Sequence, residues 1–116
     1  GISKDCKKLI NGKWRVDNKD IGPTYISREN GFQIEDTPTL GVKLKSKVTW
    51  ISDCKYSLKI IEVIENKNNS DLSDILEAKL IFKVTKSTSR YYEADTKLLY
   101  SNGKDITITT KFITIE

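Results

Sequence analysis

The chain contains no histidine and no methionine. The first absence removes the commonest general base and the commonest side-chain metal ligand. Two cysteines are too few for a four-cysteine zinc site. Only two alanines are present, at positions 78 and 94, so the best helix former is nearly missing. No apolar run approaches the ~18 residues of a membrane span. Arginine is scarce: Arg15, Arg28 and Arg90 stand against 17 lysines. Nucleic-acid readers lean on arginine for bidentate contacts. The 16 acids are spread among the 20 bases, so the net charge of +4 forms no unbroken basic tract. A nucleic-acid partner and a membrane-spanning helix are therefore not expected, nor is any metal or cofactor.

What the chain does contain is residues that favour strands. Fifteen Ile, five Val, eleven Thr, five Tyr, three Phe and two Trp make up 41 of the 116 positions. The length fits one domain spanning residues 1–116. Gly1 is read as a tag remnant at the start of a processed or cloned fragment.

Residues along the chain fall into alternating runs. Gly12 opens a short strand on which Trp14 and Val16 share a face. Asn30-Gly31 separates Thr24–Arg28 from Phe32–Glu35 and is a strong two-residue hairpin signal. Val42, Leu44, Val48 and Trp50 point one way, and Lys43, Lys45, Lys47 and Thr49 the other. The return strand carries Cys54, Tyr56, Leu58 and Ile60 inward. At Ile60-Ile61 the phase slips, which predicts a β-bulge. A polar loop follows from Glu65, then a single helical turn around Leu72, Ile75 and Leu76, capped by Ser70 or Asp71. Leu80, Phe82 and Val84 alternate up to a turn at Lys86–Ser89. A strand from Tyr91 or Tyr92 runs to Tyr100, and one ring of the Tyr91-Tyr92 pair must face outward. Asn102-Gly103 is a second hairpin signal. Ile106, Ile108 and Phe112 close the chain, with a second parity switch expected at Ile113 and Ile115.

This pattern predicts an all-β domain: an antiparallel up-and-down meander of about eight strands. It would curl into a small barrel or half-barrel, with at most one or two short helices. A two-sheet sandwich is the competing architecture. Cys6 and Cys54 are an even pair, which permits one disulfide. Closing a loop of roughly 50 residues is worth about 4 kcal/mol in the chain-entropy model. Two unpaired buried thiols are the alternative. The disulfide is the favoured reading, and with it an oxidising, extracytoplasmic compartment.

Two motifs carry a resemblance. Gly12-Lys13-Trp14 resembles the G-x-W signature of the lipocalin and calycin superfamily. Three further elements surround it: Cys6 with Leu9 and Gly12-Lys13-Trp14, then Arg28 with Gln33-Ile34-Glu35, then Val48-Thr49-Trp50-Ile51-Ser52-Asp53-Cys54-Lys55-Tyr56-Ser57-Leu58. Together they resemble a family of small exported Bacteroidetes proteins, whose members often bear the name DNA topoisomerase IV. The match covers the first half of the chain. It implies a lipocalin-like fold, an exported protein and a Cys6–Cys54 bridge, but no characterised activity. Nothing in this chain supports a topoisomerase: there is no catalytic tyrosine context and no metal-binding acidic motif. Ile2-Ser3-Lys4-Asp5 does not resemble a lipobox, so a lipid on Cys6 is not expected.

The candidate ligand-lining residues are Trp14, Trp50, Tyr56 and Phe82. Core packing is the competing role for each. Arg28, Gln33 and Glu35 sit on the two arms of the first hairpin, either as a polar ligand site or, by preference, as a cross-strand surface network. Asp71, Asp74 and Glu77 lack the order of a calcium loop. No nucleophile motif or activating base is present, so no catalytic residue is assigned and an enzyme is not expected. The expected function is binding of a small apolar or amphipathic ligand inside the barrel. The alternative is a structural or interaction protein of the cell envelope, using an exterior sheet face or an edge strand.

Overall fold

The computed structural model describes residues 6–100, 103 and 105–115. Eight antiparallel strands close into an up-and-down barrel in sequence order. They are β1 (Gly12–Val16), β2 (Thr24–Glu29), β3 (Phe32–Thr37), β4 (Val42–Ser52), β5 (Lys55–Asn66), β6 (Lys79–Ser87), β7 (Tyr91–Leu99) and β8 (Asp105–Thr114). A 3-10 turn, Lys7–Leu9, precedes β1, and one short helix, α1 (Ser73–Glu77), joins β5 to β6. The barrel excludes the sandwich.

Local chemistry sets the turns. Asn30 and Gly31 both take positive φ, 53° and 83°, as a two-residue hairpin matched to strand twist demands. Asn102 of the second expected signal lies outside the described residues. Gly12 has φ 147°, and a Cβ there would lie 2.9 Å from Trp14 Cη2. The glycine of G-x-W is thus the space into which the tryptophan ring folds.

The predicted bulge at Ile60-Ile61 is present, and it has company. Ser46 pairs with Ile60 while Lys45 pairs with Glu62, so Ile61 is the extra residue. Ile64 is extra in the same way between Val63 and Glu65, and Ile51 between Trp50 and Ser52. Each extra residue leaves the alternation, which is why Ile51, Ile61 and Ile64 are exposed. The parity switch expected near Ile113 does not occur. The β7–β8 pairing runs without a shift from Leu99↔Asp105 to Tyr91↔Ile113, so Ile113 simply faces outward. Lys86 and Ser87 extend β6 rather than forming a turn. The helical turn forms, but its N-cap is Leu72 and no side chain bonds as its cap. Asp71 instead accepts from the N–H and hydroxyl of Ser73, at 3.0 and 2.7 Å.

The barrel has unlike ends. At the lower end lie the hairpins β2–β3, β4–β5 and β6–β7 and the 3-10 turn, whose Leu9 is buried. Cys6, fully buried, is bonded to Cys54 in the β4–β5 turn. The bridge pins this plug beneath the barrel. At the upper end the closure loosens. β5 pairs with β6 only from Lys55 to Leu58, and β1 pairs with β8 only at Trp14 and Arg15. The strands beyond those points splay apart.

The disulfide spans 48 residues. Replacing both cysteines by alanine is expected to lower unfolding free energy by about 4 kcal/mol. Chemical denaturation measures it, and native non-reduced protein should show no alkylatable thiol by intact mass.

Candidate functional site

Period-two alternation turns Arg28 to the same side as Ile26, and Gln33 to the same side as Glu35 and Thr37. That side is the barrel interior. Arg28 is only 2 % exposed and Gln33 only 1 %. The expected surface network is therefore an internal one, because the parity that buries Ile26 buries Arg28 with it.

Arg28 is held from every direction. Its Nε and Nη2 both donate to Gln33 Oε1, at 3.0 and 2.8 Å. Nη1 donates to the Leu9 carbonyl at 2.7 Å. Nη2 also reaches the Tyr56 and Tyr92 hydroxyls at 3.2 and 3.0 Å. The two phenols share a hydrogen bond of 2.8 Å. The guanidinium lies 4.5 Å from the Trp14 ring centroid and 4.7 Å from that of Tyr56. Every direct acceptor is neutral. The counter-charge comes second-hand: Gln33 Nε2 donates to Glu35 Oε1 at 2.7 Å. The amide is polarised at both ends and relays the cation to the carboxylate.

Burial raises the Glu35 pKa, against the Gln33 hydrogen bond and the Arg28 charge, which lower it. Burial also raises the phenols of Tyr56 and Tyr92, so both stay protonated as hydroxyls.

Around this network the aromatic side chains form a belt. Trp50 packs on Tyr56 at 4.8 Å, Tyr56 stacks on Phe82 at 4.8 Å, and Phe82 meets Phe112 edge-on at 6.0 Å. Phe112 stacks on Tyr92 at 4.3 Å, and Tyr92 meets Trp14 edge-on at 5.6 Å. Arg28, between Trp14 and Tyr56, closes the circle. All four candidate ligand-lining residues thus sit in this belt, packed on one another. The rings fill the middle of the barrel, and beneath them an open cavity of about 330 Å³ is lined by Leu9, Gly12, Trp14, Thr88 and Tyr92.

Above the belt the interior changes character. Thr24 and Thr37 share a hydroxyl hydrogen bond of 2.8 Å, and Thr96 and Thr110 one of 3.2 Å. Ser46, the strand partner of Gln33, is buried as well. Higher still, the inward positions are apolar, and their cover falls away toward the upper end. The pairs Leu58↔Leu80, Leu80↔Leu98 and Leu98↔Ile106 share the inner face, as does Thr96↔Ile108. Leu44↔Val63 belongs to it from the other side. Yet Val63 is 38 % exposed, Ile106 48 % and Ile108 50 %. These three side chains mark an uncovered apolar rim at the upper end.

Sequence reasoning missed Tyr92, Phe112 and this rim. Alternation back from Ala94 and Thr96 places Tyr92 inward, and unbroken alternation in β8 places Ile106 and Ile108 on the inner face. The Leu9 carbonyl left no signal in the sequence. Tyr91 is the outward ring, with the Lys111 and Lys86 ammoniums 4.4 and 5.4 Å from its centroid. Two of the three lysines of the β4 stripe are engaged within the molecule. Lys43 pairs with Glu65 at 3.2 Å, and Lys45 lies 4.7 Å from the Phe32 ring centroid.

Among the described residues no three acidic or cysteine side chains gather as a metal site. Nor is any helix there long and apolar enough to cross a membrane. No protein-family model, curated protein or solved structure matches the chain.

Two outcomes test the network. Arg28→Ala strands four acceptors in a dry interior and is expected to cost about 3–5 kcal/mol in denaturant unfolding. Arg28→Lys should recover little of that, since an ammonium cannot reproduce the fork. The raised Glu35 pKa fixes a sign. The native state holds the proton more tightly than the unfolded chain, so this group favours folding at acid pH. That contribution is lost as pH rises through the native pKa. Glu35→Gln should remove this part of the stability–pH slope, read from melting temperature across the acid range.

Proposed function

We propose that the protein is an extracytoplasmic binding module that seats the apolar part of a small amphipathic molecule in the open half of its barrel. One observation carries this reading. Apolar side chains on the inner face of β5 and β8 (Val63, Ile106 and Ile108) are uncovered at the mouth. Fully burying one such side chain is worth about 1.5–3 kcal/mol. A ligand covering the rim collects part of that.

The geometry limits what enters. The aromatic belt stops any deep insertion, so the site takes a short apolar segment and not a long chain threaded to the barrel floor. The hydroxyls of Thr96 and Thr110 lie just below the rim and meet a polar group inside the mouth. The extracytoplasmic assignment is supported by the Cys6–Cys54 disulfide, since such bridges persist in oxidising compartments. The likeness of the first half of the chain to small exported lipocalin-like proteins supports it too.

A fluorescent short-chain fatty-acid probe tests the reading. Saturable enhancement is expected, and Ile108→Asp should weaken it about tenfold or more by placing a charge in the apolar contact. Leu98→Asp should do the same from the neighbouring strand, with the thermal melt of each variant as the control for folding. Absence of any saturable signal from the wild-type protein would end the proposal.

A further inference from the structure

β8 has a second property, which resides in its backbone. Its β7 side is fully paired from Asp105 to Ile113. Its other side pairs with β1 only at Ile113 and Thr114. Two hydrogen bonds fix which backbone groups face which way. Thr114 N–H donates to Arg90 on the β7 side, and Ile115 N–H donates to Lys13 on the β1 side. With no shift in the register, the amides and carbonyls of Asp105, Thr107, Thr109 and Lys111 all face the β1 side. Among the described residues, no strand pairs with them there. β1 has already ended at Val16, and a cavity of about 490 Å³ separates Val16, Asp17 and Asn18 from Ile108 to Lys111.

An open edge of this length invites another strand. Its sequence says which strand fits. Asp105-Ile106-Thr107-Ile108-Thr109-Thr110-Lys111 carries an acid at one end and a base at the other, with Ile108 midway. Laid antiparallel against a second copy of itself about Ile108, it puts Asp105 opposite the partner's Lys111, at both ends. Thr107 falls opposite the partner's Thr109, and Ile108 opposite the partner's Ile108. The register also obeys the backbone. The odd-numbered residues, whose N–H and C=O groups are free, form the hydrogen-bonded pairs, and Ile108 forms the non-bonded pair where side chains approach most closely. Both charged residues face outward, on the side of Leu99 and Glu93.

We propose that the chain forms a two-fold symmetric dimer through antiparallel pairing of β8 with β8 of a second copy, in the register centred on Ile108. A continuous sheet then runs from β7 of one barrel to β7 of the other. The interface is isologous, so it closes on itself and does not propagate. The cavity beside Val16–Asn18 is the room into which the partner's Asp105 end enters. Pairing covers part of Ile106 and Ile108, which stand about half exposed in the single chain. The dimer does not depend on ligand binding at the rim.

Within the chain Asp105 pairs with Lys97 at 3.6 Å and Lys111 lies 4.4 Å from the Tyr91 ring centroid, so each single charge reversal also disturbs its own barrel, and rescue by the double reversal is the result that no intramolecular role can mimic. Asp105 and Lys111 lie six residues apart on one strand, about 20 Å, and cannot touch within a chain. Sedimentation velocity over a concentration series at low salt should show a reversible dimer. Asp105→Lys alone, or Lys111→Asp alone, sets like charges opposite each other and should weaken association about tenfold. The double variant Asp105→Lys with Lys111→Asp should restore it. Thr107→Pro removes an edge N–H and leaves the β7 side paired, so it should give a folded monomer by circular dichroism. A wild-type protein monomeric throughout the series overturns the proposal. So does a dimer indifferent to Thr107→Pro, or a double variant no better than the single ones.

Discussion

A single buried cation organises this barrel. Arg28 is almost entirely removed from water, and its direct partners are a side-chain amide, a peptide carbonyl and two phenols. Taking a guanidinium out of water costs several kcal/mol unless geometry returns it. Here the return comes from elements far apart in sequence. Gln33 lies on β3, Tyr56 on β5, Tyr92 on β7 and Leu9 in the plug, while Trp14 of β1 covers one face. Each of those elements must be in place before Arg28 is satisfied. The interaction therefore selects one register and one closure among the many that a run of similar amphipathic strands permits. That is a specificity argument more than a stability argument. An apolar residue of similar volume would remove the desolvation cost, but it would not tell β5 from β7.

The unlike ends follow from the same constraint. The belt of rings and the disulfide-tethered plug concentrate the packing below, where β1 contacts both β2 and β8. Above the belt, among the described residues, hydroxyl pairs take the place of stacked rings and a disulfide. β1 is five residues long and its neighbour β8 is ten, so the short strand runs out before β8 does. The bulges at Ile61 and Ile64 then twist β5 away from β6. An open mouth with uncovered inner-face isoleucines is the geometric result of strands of unequal length closing on a tight lower ring.

Much of this is legible in the sequence, and the reasons differ by feature. Asn30-Gly31 specifies its hairpin because both residues tolerate positive φ. The Lys-alternating strand β4 declares its inner face because Val42, Leu44, Val48 and Trp50 keep strict parity. The phase slip at Ile60-Ile61 is visible because two isoleucines in succession cannot both face inward. Other features were hidden by residue type. Arg28, Gln33 and Glu35 read as surface residues, since charged side chains are almost never fully buried without partners. The partners were the missing information: Tyr56 and Tyr92 lie 28 and 64 residues away from Arg28. No local pattern brings them together. Parity turns Arg28 inward with Ile26, whereas hydropathy points it to the surface. The rim was hidden for the opposite reason. Ile106 and Ile108 read as ordinary core positions, and only the splaying of β1 from β8 leaves them uncovered.

β8 thus presents two unsatisfied surfaces at right angles to each other. Its inner face is uncovered at Ile106 and Ile108, and from Asp105 to Lys111 its β1-side edge pairs with no strand among the described residues. A longer β1 would have cured both at once. The fold instead ends β1 at Val16 and turns the chain away through Asp17 and Asn18, where Asp17 is tied back to Arg15 at 2.8 Å. Flanking charges limit what the edge accepts. Asp105 and Lys111 bracket an uncharged stretch of isoleucine and threonine, the composition that pairs indiscriminately when left bare. With an acid at one end and a base at the other, a parallel partner of the same sequence sets like charges together, whereas an antiparallel one sets opposite charges together. Orientation is thereby chosen by electrostatics and register by the hydrogen-bonding parity. The same strand can then offer an edge to one neighbour and a face to a ligand without becoming a site of open-ended aggregation.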